Sequence, residues 1–339
     1  MVPVSSNSGE YRERPRLPDD AGDAVSDAPG EADSATAEVE IRSACVPRAQ
    51  HGQRLDRMLV TLAPEFSRSY LQQLIEQGHV QLDALVAMTA SRRVRAGQVL
   101  QLALVPTEES RAYRPQSMVL AVVFEDEHLL VIDKPAGLVV HPAPGNWSGT
   151  LLNGLLAYHA AAATLPRAGI VHRLDKDTSG LMMVGKTLAA VTALTRAIAA
   201  RAIHRRYLAL AHGCPPAERF SIEAPIGRDP VQRVRMAIVA GGRAARTDVQ
   251  RVAGMGQFSA LSCTLHSGRT HQIRVHLASR GLPLLADPLY GGKPALGMQR
   301  QALHATELHL QHPVLLQALA FERKPPADFA AAWAQVTAT

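Results

Sequence analysis

Aromatic rings are scarce in this chain: Phe, Trp and Tyr make up 4% of its 339 residues. Reading of single-stranded bases by a succession of stacking rings is therefore not expected, and a nucleic-acid partner would be recognised by shape and backbone. Cysteine is scarcer still. Cys45, Cys214 and Cys263 are scattered, with no spacing that suggests a disulfide framework or a zinc site. Unpaired thiols point to a reducing compartment, the cytoplasm. No apolar run reaches the ~18 residues that a membrane span needs, and the polar N-terminus does not read as a signal peptide. No metal-ligand spacing is found, so no metal is expected, and the chain shows neither a dinucleotide fingerprint nor a fixed-period repeat.

Charge is plentiful and unevenly spread. The first forty residues carry ten acidic side chains against three arginines, while the whole chain has a formal charge of +6. Removing that −7 leaves the remainder at +13, the electrostatic footprint of a protein that meets a polyanion. The acidic segment, 1–45, has few large apolar residues and cannot offset its own ordering entropy, so it is expected to be disordered.

The length allows two compact domains of ~100–200 residues each. In the first, 51–105, Leu55, Met58, Leu59 and Leu62 fall at i, i+3, i+4 and i+7, the spacing of an amphipathic helix. Ser67 is placed to cap a second helix bearing Tyr70, Leu71, Leu74 and Ile75, with Gly78 to end it. Strands are expected at 80–82 and 99–104. Arg54, Arg57, Arg68, Arg92, Arg93 and Arg95 lie around these elements.

The run "RLDRMLVTLAPEFSRSYLQQLIEQGHVQLD" resembles the S4 RNA-binding module, a small α/β unit that presents basic residues to structured RNA. The resemblance implies that Arg54, Arg57, Arg68, Arg92 and Arg93 contact RNA. It lapses after Val80, where members of that family carry a Val-Asn-Gly turn and this chain has Gln81, Leu82, Asp83 and Ala84. A differently shaped hairpin is expected there.

A polar linker at 106–118 leads to a larger domain, 119–332. Strands are expected at 129–133, 171–175, 207–211, 247–252 and 259–266, and helices at 151–162 and 188–200. Their order lacks a strict βαβ rhythm, which favours an α+β fold: a mixed, largely antiparallel sheet with flanking helices.

Gly180 to Thr187 fits the phosphate-loop pattern G-x-x-x-x-G-K-T. Its four intervening residues, Leu181, Met182, Met183 and Val184, form an apolar run suited to a buried strand rather than a solvated cradle. A nucleotide hydrolase is therefore set aside. The same stretch holds two carboxylates, Asp175 and Asp177. If 171–175 is a strand, Arg173 and Asp175 share a face while Leu174 points to the core. Asp177-Thr178-Ser179-Gly180 then reads as a turn in which Asp177 bonds its own backbone. Asp175 is the better candidate for chemistry. Further on, "HSGRTHQIRVH" supplies arginines, and a guanidinium beside a buried carboxylate keeps it ionised. His271 and His276 read as ordinary hydrogen-bonded histidines, and Arg269 and Arg274 as either partners of that carboxylate or a solvated basic strand.

Taken together, "VIDKPAGLVVHPAPGN", "GTLLNGLL", "HRLDKDTSGLMMVGKT", "HRRYLAL" and "GRTHQIRVHLASRGLPLLADPLYGG" resemble the RluA family of RNA pseudouridine synthases, in order from about Phe124 to Phe321. The resemblance implies a pseudouridine synthase fold and isomerisation of uridine without a cofactor. It implies Asp175 as the catalytic carboxylate, Arg274 as its ion-pair partner, and Tyr207 as the ring that packs on the uracil and assists loss of the C5 proton. Arg173 would enter the RNA in place of the extruded uridine, and Leu303 would line the base pocket. The expected partner is structured RNA, large-subunit ribosomal RNA first, and the expected state a monomer. An RNA-binding or assembly protein that keeps the fold without catalysis is the competing reading.

Overall fold

The periodic leucines of the N-terminal unit do what their spacing predicts. In the computed structural model, which describes residues 39–105 and 112–338, helix α1 (Leu55–Leu62) buries Leu55, Met58 and Leu59. Helix α2 (Arg68–Glu76) buries Leu71, Leu74 and Ile75 against them. The Ser67 hydroxyl accepts the Tyr70 N–H at 3.3 Å, satisfying one of the amides orphaned at a helix start. These faces pack on an antiparallel sheet of β1 (Glu40–Cys45), β2 (Val80–Leu82), β3 (Leu85–Val86) and β4 (Val99–Leu104), in the order β1-β4-β2-β3. Strand β4 alternates cleanly, with Leu100, Leu102 and Leu104 inside.

The presence of β1 corrects the expected tail. Residues 40–45 are not disordered: Glu40 to Cys45 pair along the whole of β4, and Arg42 bonds Glu40 and Glu65. Backbone pairing supplies the stabilisation that their polar composition hid. The rest of the acidic segment, 1–38, and positions 106–111 of the linker lie outside the described residues.

The hairpin between β2 and β3 does not take the different shape expected of it: Asp83 and Ala84 form the two-residue loop that Asn-Gly favours. Asp83 and Ala84 both have positive φ, 50° and 64°, the signature of a two-residue type I′ turn. Asp83 is held there by its carboxylate, which accepts the Val99 N–H at 2.8 Å and the Gln98 amide at 2.9 Å.

The second unit is built on nine strands: β5 (Val122–Glu125), β6 (Leu129–Lys134), β7 (Ser179–Gly185), β8 (His204–His212), β9 (Arg219–Glu223), then, after a short ribbon of β10 (Ile226–Arg228) and β11 (Met236–Ile238), β12 (Arg246–Met255), β13 (Phe258–Leu265), β14 (Leu303–Gln311) and β15 (Ala318–Glu322). They run β5-β6-β7-β14-β8-β13-β12-β9, with β15 also on β14. Only β7 and β14 pair in parallel among the described residues. This is the mixed, largely antiparallel sheet that the sequence implied.

Helices α3 (Leu151–Tyr158) and α5 (Gln272–Ser279) cover one face, where Leu151, Leu155, Ile273 and Leu277 join Ile132, Met182, Val184 and Ala209 in one core. Helix α4 (Leu188–Ala199) covers part of the opposite face through Leu194, against Val131, Leu181 and Met183. Helix α6 (Ala327–Thr337) covers another part through Phe329, Ala332 and Val336. Strands β6 and β7 are therefore buried on both sides, which is why each reads as a continuous apolar run. Gly180 serves this packing: a Cβ there would stand 2.2 Å from the Ala305 carbonyl oxygen across the parallel pair. Lys186 is occupied by Glu125 at 2.7 Å and the Asp126 carbonyl at 2.6 Å. The phosphate-loop pattern is a strand and a salt bridge.

Two local expectations are corrected. The segment 171–175 is not a strand; after a single bridge from Ile170 to Val184 it leaves the sheet. His172 Nε2 instead accepts the Met183 N–H at 3.0 Å, taking the place of a neighbouring strand's carbonyl. The turn lies two residues earlier than 177–180, closed by the Thr178 N–H on the Asp175 carbonyl at 3.1 Å, and Ser179 already begins β7. Of the two readings left open for Arg274 the basic strand falls, because the residue stands on helix α5.

Candidate active site

Asp175 opens the tight turn before β7, and the carbonyls of Lys176 and Asp177 in that turn each accept from a cationic side chain. Lys134, fully buried at the end of β6, donates its ammonium protons to the carbonyls of Lys176 at 2.9 Å, Leu138 at 2.9 Å and Pro135 at 2.7 Å. Burial pulls this lysine down to about 8 against the opposing charges of Asp177 and Asp175. The Asp177 carbonyl accepts Arg300 Nη1 at 2.8 Å, and Arg300 is itself paired twice with Asp328. Asp177 thus contributes its main chain to the turn, and Asp175 is held in a fixed place.

Its side chain is 15% exposed and meets Arg274 Nη1, which donates to Asp175 Oδ2 at 3.0 Å. The other two edges of the guanidinium belong to Asp287: Nε donates to Oδ2 at 2.7 Å and Nη2 to Oδ1 at 2.8 Å. Burial alone would lower the Arg274 pKa. The Asp287 hydrogen bonds and the charges of Asp175 and Asp287 outweigh it, so the net shift is upward and the cation is permanent.

A second residue faces the carboxylate. His271 Nε2 lies 3.9 Å from Asp175 Oδ1, and its Nδ1 lies 2.8 Å from the Tyr290 hydroxyl. Burial lowers the His271 pKa, leaving the ring neutral near pH 7. A lone pair aimed at a carboxylate would be repelled, so the favoured tautomer carries its proton on Nε2 and accepts the Tyr290 O–H at Nδ1. The Tyr290 ring also lies beneath Arg274, 5.0 Å from the guanidinium carbon, and its oxygen accepts the Met236 N–H at 3.0 Å.

Tyr207, in the middle of β8, is buried between Cys263 on β13 and Ala305 on β14. Burial raises its phenol, with Arg205 opposing and Asp175 adding to the shift, so it is neutral. Asp175, Tyr207, Arg274 and Leu303 line one pocket, and exposed Arg173 joins them. The expected catalytic-domain residues are therefore brought together. Among the described residues, no group of three or more His, Cys, Asp or Glu side chains is placed to hold a metal ion, and no helix is long and apolar enough to cross a membrane.

The arginines of the first unit divide. Arg54 and Arg68 both pair with Asp56, a fully buried carboxylate that also accepts Gln72 at 2.8 Å. Arg93 gives Nη1 to the Gly52 carbonyl at 2.7 Å. Arg57 and Arg92 are exposed and make no side-chain ion pair among the described residues. Asp287, His271 and Tyr290 are not among the working groups expected from the sequence. Asp287 and Tyr290 sat in the quoted "LLADPLYGG", a carboxylate and a phenol around a proline turn, which was the available signal.

A family model described as RNA pseudouridylate synthase matches residues 128–279, and one described as the S4 domain matches 53–100. The ribosomal large subunit pseudouridine synthase D of Nitrosomonas europaea is 45% identical over 294 residues, covering 84% of this chain and 85% of the relative. The protein of the same name from Pseudomonas aeruginosa is 44% identical over 302 residues, covering 85% and 93%. Among solved structures, human RNA pseudouridylate synthase domain containing 1 matches with a TM-score of 0.51 and 25% identity, covering 65% of this chain and 90% of that one.

Proposed function

The chain belongs to the RluA-type RNA pseudouridine synthases that carry an S4 domain, and from that premise we propose that it modifies uridines of large-subunit ribosomal RNA with Asp175 as the catalytic carboxylate. The family's reaction is an intramolecular isomerisation. The C1′–N1 bond of a uridine breaks, the detached base turns over, C1′ joins C5, and the proton lost from C5 is balanced by one gained at N1.

The observation that carries the residue assignment is the 3.0 Å contact between Arg274 and Asp175 inside the pocket that Tyr207 lines. The guanidinium holds the carboxylate in one direction at the pocket, as attack at C1′, addition at C6 and abstraction of a sugar proton all require. Tyr207 supplies a flat neutral face for the uracil and a hydroxyl near the reacting ring. Leu303 closes the apolar side.

A paired uridine must first leave its helix, at a cost of a few kcal/mol. Arg173, exposed at this pocket, is suited to fill the vacated space. In the S4 unit, Arg57 and Arg92 are the stronger phosphate contacts, because Arg54 and Arg68 share their charge with Asp56. The ribosomal target rests on the names of the relatives; a monomer working in the cytoplasm, where such RNA matures, completes the reading.

The test is to incubate the protein with large-subunit ribosomal RNA from cells that lack the gene and map pseudouridine along it. New pseudouridine at discrete sites supports the proposal. RNA that binds but stays unmodified would favour the non-catalytic alternative.

A further inference from the structure

Arg205 is a buried cation without a counter-charge. It stands on β8 with 5% of its surface exposed. Its Nε has no hydrogen-bond partner, and it makes no ion pair among the described residues. The other buried arginine of the site shows the contrast: Arg274 is saturated by Asp287 and Asp175. Burying an unpaired guanidinium is costly, so a fold that keeps one invites an anion.

A second unpaired donor accompanies it. Because His172 Nε2 accepts the Met183 N–H, the neutral ring carries its proton on Nδ1, and that atom is buried without a partner. Burial and the nearby Arg205 charge hold this histidine at about 3, so it donates one hydrogen bond without titrating near pH 7. Both side chains line a groove that continues from the Asp175 pocket and shares Arg173, Tyr207 and Arg269 with it. Arg205 precedes Tyr207 by two residues and so faces the same side of the strand, roughly 7 Å along it. Gly268 leaves room above the guanidinium: a Cβ there would stand 3.0 Å from Nη1.

We propose that Arg205 and His172 form a binding site for a backbone phosphate of RNA, one adjoining the nucleotide held at Asp175. The proposal rests on the reading of that pocket as the uridine site. A phosphate oxygen accepts from both donors and neutralises the lone cation, whereas a neutral acceptor such as a ribose hydroxyl leaves the charge unbalanced.

Arg205→Met removes the charge and keeps much of the volume. On unmodified large-subunit ribosomal RNA its KM rises about tenfold to a hundredfold, the range of a lost charge-assisted hydrogen bond, with kcat within about threefold. The plot of log affinity against log salt becomes shallower by about 0.7, one single-strand phosphate. The Tm is unchanged or higher, since the substitution removes an unpaired buried charge.

A merely structural arginine behaves in the opposite way, with a lower Tm and an unchanged KM. That result, or an unchanged KM and salt slope at any Tm, overturns the proposal. Should Arg205→Met fold poorly, Gly268→Ala decides: it crowds Nη1 while retaining the charge, and raised KM upholds the site while unchanged KM overturns it. Wild-type protein runs alongside throughout. If it forms no pseudouridine, the uridine reading itself falls; if it is active and both variants match it, only the phosphate site falls.

Discussion

Asp287 grips Arg274 through two parallel hydrogen bonds, 2.7 Å from Nε and 2.8 Å from Nη2, and so turns the remaining edge of the guanidinium toward Asp175. The carboxylate at residue 287 is almost wholly buried, and its role in the geometry is orientation. Without it Arg274 would be free to swing, and the contact with Asp175 would lose its fixed direction.

Asp287→Asn therefore lowers kcat by tenfold or more while KM stays within a few-fold. Breaking a buried pair from one side also lowers stability, by about 3 kcal/mol. Single-turnover kinetics and urea unfolding check the two effects. An unchanged kcat would show that Arg274 needs no such anchor.

The buried histidine at 172 makes stability depend on pH. Unfolded, a histidine titrates near 6.5; folded, burial and the Arg205 charge hold His172 at about 3. Between those values the unfolded chain binds the extra proton, so stability rises with pH across the window. The contribution is complete above about 6.5 and is lost progressively toward 3. Between pH 7 and pH 5 the wild type should lose ~1–2 kcal/mol more than His172→Gln. Tryptophan fluorescence during urea unfolding reports this cleanly, because both tryptophans, Trp147 and Trp333, lie in the second unit.

In the S4 unit, Ala84 holds φ at 64° with no side-chain hydrogen bond available to it. A left-handed non-glycine residue costs about 1–2 kcal/mol, and glycine returns part of the gain through its freer unfolded state. Ala84→Gly should stabilise the unit by ~0.5–1 kcal/mol. Thermal unfolding decides, and a lower Tm would contradict the turn assignment.

Gly180→Ala should do the reverse on a larger scale. Its φ is +112° and its Cβ would collide with the Ala305 backbone, so the β7–β14 pair must open, at a cost of several kcal/mol. Adding ATP or GTP at millimolar concentration should leave the wild-type Tm unchanged. A nucleotide-dependent rise would revive the phosphate-loop reading.

Legibility in the sequence followed the range of the interactions. The helix at Leu55–Leu62, the Ser67 cap and the buried run Leu181–Val184 were readable because spacing and burial there are local. Asp175 was singled out from its neighbour Asp177 on a strand that does not exist; in the structure the turn engages Asp177 through its carbonyl, while the Asp175 side chain meets Arg274. What stayed hidden was long-range or made by side chains. His172 standing in for a strand, Lys134 bonding a turn 42 residues away and Asp287 orienting Arg274 leave no periodic trace. Strand β1 was lost inside an acidic segment because its stabilisation comes from β4, not from its own residues.

The central claim is that the carboxylate at 175 performs the isomerisation, and a single-turnover assay of Asp175→Asn tests it most directly. With excess protein over unmodified large-subunit ribosomal RNA, the account predicts no detectable pseudouridine from the variant and RNA affinity within a few-fold of wild type. Pseudouridine formed at a rate near that of the wild type would contradict it.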